Sequence, residues 1–188
     1  MRKVTSTVLT VGLSVAAVAL CGCATKSALQ SRKASVPLQT VSHVDLPRFM
    51  GDWRVIANIP YFAEKGCVDS IESYALRPDG VIENWFTFRK KSFDAPQQTF
   101  RARAYVVNHE TNAQWKVKFL GGLVTADYLI IDLDPSYQWV VVGHPSRKYG
   151  WIMARERSLP PETYQNILKR LSHQGYDIAK FHKVPQKP

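Results

Sequence analysis

Few residues in this chain of 188 have the types and spacing that chemistry requires. Its three cysteines are Cys21, Cys23 and Cys67. Two sit one residue apart near the N-terminus and the third stands far off, which supplies neither a disulfide framework nor a thiolate zinc site. The five histidines, His43, His109, His144, His173 and His182, fall separately in expected turns, edges and tails. No metal-ligand spacing and no Ser–His–Asp arrangement connects them. Cys67 is the one thiol available as a nucleophile. It follows Glu64-Lys65-Gly66 with no base placed beside it, and a thiol without such a neighbour is a weak source of thiolate. These residues point to a binding protein that is not an enzyme and carries no metal or cofactor.

Cys23 carries a different chemistry. Arg2 and Lys3 open the chain on positive charge, and an apolar run of 13 residues extends from Val8 to Leu20. A membrane-crossing helix needs about 20 residues, so the run suits the core of a secretory signal instead. Leu20-Cys21-Gly22-Cys23 resembles the bacterial lipobox. The resemblance implies that residues 1–22 are a lipoprotein signal peptide. Cys23 would then receive a diacylglycerol on sulfur and an acyl group on its new amine. Ala24 stands where an Asp would imply retention in the inner membrane, so the expected location is the periplasmic side of the outer membrane. Each buried CH₂ contributes about 0.8 kcal/mol, and three chains together hold a protein to a bilayer. A plain secretory signal with incidental cysteines is the alternative.

The charge balance agrees with a membrane neighbour. Lys and Arg number 25 against 15 Asp and Glu, a net charge of +10, which becomes +8 once Arg2 and Lys3 are removed. A basic surface is attracted to anionic lipid. Nucleic acid would answer the same charge but is seldom met outside the cytoplasm, and an ordinary solvated surface accounts for most of these lysines. Residues 23–42 hold the acylated cysteine and then a stretch without acid or aromatic side chains, read as a flexible tether. Nineteen residues of coil span roughly 24 Å, which keeps the folded part near the bilayer.

The remaining elements must position any site. A hydrophobic content of 45% and aromatic content of 11% exclude a disordered chain. Strand-like segments run over 53–57, 71–76, 81–88, 100–107, 113–119, 128–133, 137–142 and 151–155, divided by turns such as Arg77-Pro78-Asp79-Gly80 and Asp134-Pro135-Ser136. Eight consecutive strands with short turns predict an all-β, antiparallel up-and-down barrel, of a size that closes around one small ligand. Tyr164, Ile167, Leu168 and Leu171 follow helical spacing and predict a C-terminal α-helix packed on the outside of the barrel. Lying on a membrane surface is the weaker reading of that stripe.

Three motifs in order resemble the lipocalin family, and the bacterial outer-membrane lipocalins most. Asp45–Trp53 resembles the family's opening helical turn and Gly-x-Trp, here Gly51 and Trp53. Tyr128–Asp134 with Tyr137 resembles the second motif, and Tyr149–Arg155 the third. The match covers residues 43–188 apart from the last few. The resemblance implies that Arg155 lies over Trp53 and plugs one end of the barrel, leaving a single mouth. A cation over an indole contributes about 0.5–2 kcal/mol.

Strand parity then sorts a candidate lining. Ile82, Asn84, Phe86 and Phe88 share one face, Ala102, Ala104 and Val106 another, and Trp115, Val117 and Phe119 a third. By family register Tyr128, Ile130, Tyr149, Trp151 and Met153 also face inward. The small alanines favour a hollow interior. Glu72 shares the parity of Tyr74; either it faces the cavity, near the wet mouth or beside a cation, or the register is shifted by one and it lies outside.

The expected function is an outer-membrane-anchored protein that holds fatty acids or lysophospholipids for transport or storage, drawing them in through an apolar lip at Leu120, Leu123 and Val124. A barrel enzyme using Cys67 and a structural lipoprotein with a filled core are the alternatives. A homodimer is left open.

Overall fold

We describe residues 36–187 in a computed structural model. The signal peptide, Cys23 and most of the tether lie outside these residues. A four-residue helical turn, α1 (Leu46–Phe49), is capped by Asp45, whose carboxylate accepts from the Arg48 amide at 3.1 Å. Eight antiparallel strands follow: β1 (Gly51–Ile59), β2 (Cys67–Leu76), β3 (Ile82–Lys90), β4 (Gln98–Val106), β5 (Gln114–Phe119), β6 (Val124–Leu133), β7 (Trp139–Gly143) and β8 (Gly150–Ala154). Each pairs with the next, and β8 returns to β1, so the sheet closes into the expected barrel.

The strands run longer than sequence alternation suggests. β2 begins at Cys67 because a bulge between Val68 and Ile71, with Asp69 at a φ of 51°, interrupts the alternation without ending the pairing. Cys67 is therefore the first residue of a strand, not part of the preceding loop. Tyr137, read as a strand residue, sits in the turn before β7 at a φ of 60°.

After α2 (Pro161–His173) a short strand, β9 (His182–Lys183), pairs with Ala57 and Asn58 of β1. The β1–β2 ladder extends only from Gly51↔Tyr74 to Arg54↔Ile71. Above it the C-terminal segment bridges the gap. The Val184 amide donates to Ile56 O at 2.9 Å, and the Asp69 amide donates to Pro185 O at 2.7 Å. Gln186 Nε2 donates to Val55 O at 2.7 Å. The seam of the barrel is thus sewn by residues 182–187.

Two apolar layers hold the structure. The inner one joins Phe49, Trp53, Val55, Ile82, Trp115, Ile130, Val142 and Met153. The outer one seats Tyr164, Ile167 and Leu171 of α2 on Ile131, Val141 and Ile152, so the helix docks on the wall. The tether ends earlier than its composition suggests. Leu38 packs on the outer layer, the Val41 amide donates to Ile130 O at 3.0 Å, and the Gln39 amide donates to Gln174 Oε1 at 3.0 Å. Residues 36–42 belong to the barrel's surface, fastened by backbone bonds that a composition reading does not register.

Candidate binding site inside the barrel

The floor is built first. Gly51 has a φ of +90°, a conformation side chains rarely adopt, and a Cβ there would stand 3.4 Å from Arg155 Nη1. The backbone can therefore turn from α1 into β1 beneath Arg155. The guanidinium lies 3.7 Å from the Trp53 ring centroid. Its Nη1 donates to Asp52 O at 2.8 Å, and its Nη2 donates to Arg48 O, Phe49 O and Met50 O at 2.9, 3.1 and 2.9 Å. Trp53 Nε1 donates to Phe49 O at 2.8 Å.

Above this plug the lower barrel is solid. Phe49 packs against Trp53, Tyr74 and Trp115 with centroids 5.1–5.6 Å apart. Tyr128 stacks on Trp115 at 4.9 Å, and the Tyr74 and Tyr128 hydroxyls meet at 2.9 Å across the barrel. Ala104, Trp115 and Ile130 have no exposed surface, so no water-sized space touches them. All three face inward, Ala104 and Trp115 as parity predicts and Ile130 as the family register implies, but they lie in the packed core below any cavity. The space that the alanines suggested is filled by aromatic rings from α1, β5 and β6. Tyr74 and Val117, almost wholly buried, form the top of this layer with Asn84.

The upper barrel differs. Glu72 and Tyr128 are enclosed by the wall, and desolvation raises the pKa of both. Yet each keeps accessible surface, as do Phe86, Phe119, Trp151 and Tyr149. Surface that is accessible on an enclosed group faces a space within the barrel. Glu72 thus points inward, settling its register: Glu72↔Phe86 is a cross-strand pair and Trp53↔Glu72 another. Glu72 Oε2 accepts from Asn84 Nδ2 at 2.6 Å, and no cation of the described residues forms an ion pair with it. Burial pushes its carboxyl up to about 8, with the Glu64 charge adding to that and the Asn84 bond opposing it.

Glu64, in a short helical turn over Phe62–Glu64 that follows β1, was not among the expected site residues. Its Oε2 accepts from the Tyr61 amide at 3.1 Å and Asn58 Nδ2 at 3.2 Å, and Trp151 Nε1 donates to Oε1 at 3.2 Å. Burial raises it to about 7 against the pull of these donors. Tyr61 stacks on Tyr149 at 3.8 Å and leans on Trp151 at 5.7 Å. In the sequence Glu64 is noted only as one of the residues that precede Cys67. Tyr61 and Glu64 have the spacing of a capping box, but Tyr lacks the short polar side chain of that signature, so residue types alone did not mark Glu64.

The mouth is apolar. Strand direction places Phe62, Phe100, Leu120, Leu123 and Val124 at the end opposite Arg155, and all are exposed. The profile of the lipocalin-like domain family matches residues 44–186. The chain belongs to the lipocalin family. Temperature-induced lipocalin-1 of Arabidopsis thaliana is 35% identical over 161 residues, covering 79% of this chain and 83% of that protein. Outer membrane lipoprotein Blc of Escherichia coli K12 is 31% identical over 149 residues, covering 78% and 81%. Insecticyanin from the tobacco hornworm Manduca sexta shares the fold with a TM-score of 0.66 at 18% identity, over 81% of this chain and 86% of that one.

Lipocalins bind small hydrophobic ligands; in this one the lower barrel is packed, and above it Phe88 is packed too while Glu72, Phe86, Phe119, Ala126 and Tyr128 keep accessible surface. Cys67 sits at the upper end of the seam, with Sγ 3.7 Å from Ala63 O. Burial raises its pKa although Lys90 works against it. Lys90 Nζ instead donates to Ala63 O at 2.5 Å and Lys65 O at 3.1 Å. A second hollow of about 550 Å³ opens on the seam among Asn58, Glu64, Cys67, Lys91 and His182–Pro185.

Proposed function

We propose that this lipocalin is a lipoprotein of the outer membrane that carries single-chain lipids, fatty acids or lysophospholipids, in the upper half of its barrel, and that it catalyses no reaction. The observation that supports this is the accessible aromatic surface of Phe86, Tyr128 and Trp151 inside the wall, over a sealed floor. An acyl chain laid along those rings leaves water at a gain of about 0.8 kcal/mol per CH₂. The likeness to Blc proteins, named outer membrane lipoproteins, supports the location together with the lipobox. The raised pKa of Cys67 argues against a thiolate nucleophile there.

Ala126 tests the reading. It lies on β6 beside Val117, on the inward face of the upper barrel. Ala126→Trp should fill the space and abolish binding of lysophospholipid and fatty acid in native mass spectrometry, with the melting temperature maintained. Undiminished binding in that variant would place the lipid elsewhere and defeat the proposal.

A further inference from the structure

The polarity of the upper barrel runs opposite to what a fatty-acid anion needs. The lip is apolar, at Phe62, Phe100 and Leu123, whereas the acids lie inside. Glu64 is fully engaged by the Tyr61 amide, Asn58 and Trp151. Glu72 is not. Its Oε2 takes the Asn84 amide, while Oε1 receives no hydrogen bond from any described residue and is not sealed from the internal space. Lys90, whose charge lowers the Glu64 pKa, donates to two backbone carbonyls and forms no ion pair with either acid. An enclosed carboxyl with one free oxygen, paired across the strands with Phe86 and close to Tyr128, with Trp151 above it at Glu64, has the composition that recognises an ammonium ion: a counter-charge for its N–H groups, and aromatic rings beside it.

We infer that the barrel binds the ammonium head of a single-chain amphiphile, with Glu72 as its counter-charge and the chain running outward over Ala126, Phe119 and Val124 to the apolar lip. The inference rests on the reading that a single-chain lipid occupies the upper barrel, and it names the head group. From Tyr128 to the upper end of β6 at Val124 is four residues, about 13 Å of wall for the chain to follow. An ammonium at this depth favours release of the Glu72 proton and pairs with the carboxylate that forms, whereas a carboxylate head finds no cation there and makes ionisation of Glu72 and Glu64 costlier still. A tail-first chain would set methylenes against the free Glu72 oxygen and leave it unpaired.

The experiment compares three amphiphiles of equal chain length, dodecylamine, dodecanol and dodecanoic acid, by displacement of a fluorescent fatty-chain probe from the delipidated protein at neutral pH. The amine should bind at least about tenfold more tightly than the alcohol and the acid. Glu72→Gln should reduce the amine to the alcohol's affinity and leave the alcohol unchanged. Phe86→Leu, which keeps the carboxyl but removes one ring face, should reduce the amine selectively and by less. An amine no tighter than the alcohol, or a preference that survives Glu72→Gln, overturns the inference while leaving the carrier intact. Failure of all three chains to displace the probe overturns both.

Discussion

Arg155 does more at the floor than cover an indole. Four of its hydrogen bonds reach backbone carbonyls of residues 48–52, so it ties the entry turn to the barrel's last strand. Arg155→Ala should cost about 2–4 kcal/mol, since it orphans several acceptors and removes the cation–π contact together. Urea unfolding reads this, and ligand affinity in the surviving folded protein should not change. The pairing of Arg155 with Trp53 was legible from motif resemblance; the carbonyl cluster was not, because backbone acceptors leave no trace in residue types. Glu72 gives the opposite case. Below its ordinary value of 4.5 the carboxyl is protonated in the folded and unfolded chains alike. As pH rises toward about 8 the unfolded chain releases the proton freely while the folded chain retains it, so stability declines across that window. The melting temperature should fall from about pH 5 to about pH 8, and Glu72→Gln should flatten that fall, each unit of displacement being worth about 1.4 kcal/mol. Glu64 contributes to the same slope, so the variant should reduce it without removing it.

Among the elements, the strands and α2 were readable because alternation and the Tyr164–Ile167–Leu171 spacing are imposed by burial on one face. The bulge in β2 and the two-residue β9 were not. A bulge breaks period two without any special residue type, and β9 owes its existence to open backbone groups on Ala57 and Asn58, not to its own sequence. The inward set was correct in direction but not in depth: parity puts Ala104 and Trp115 inside and the family register Ile130, and only packing decides that the aromatic rings of Phe49 and Tyr128 fill the space beside them. The lip yields a separate expectation. Phe62 and Leu123 are 87% and 89% exposed, a cost in water that contact with a bilayer would remove. The double variant Phe62→Ser, Leu123→Asp should slow lipid pick-up from vesicles severalfold in a stopped-flow transfer assay while leaving equilibrium affinity for dissolved lipid unchanged.

At the scale of the whole molecule, the proposed anchor and the barrel are expected to contribute separately. Cys23→Ser should release the protein from the membrane fraction on cell fractionation while its lipid binding persists. The stitching at the seam has a bearing on biosynthesis. β1 is among the first strands to emerge from a ribosome or translocation pore, yet its upper half finds backbone partners in residues 182–187, at the far end of the chain. The cylinder therefore stays unzipped until synthesis is nearly complete, and contacts so distant in sequence form slowly. Under the proposed lipidation at Cys23, the enzymes that process and acylate the N-terminus would meet a chain whose wall is still open.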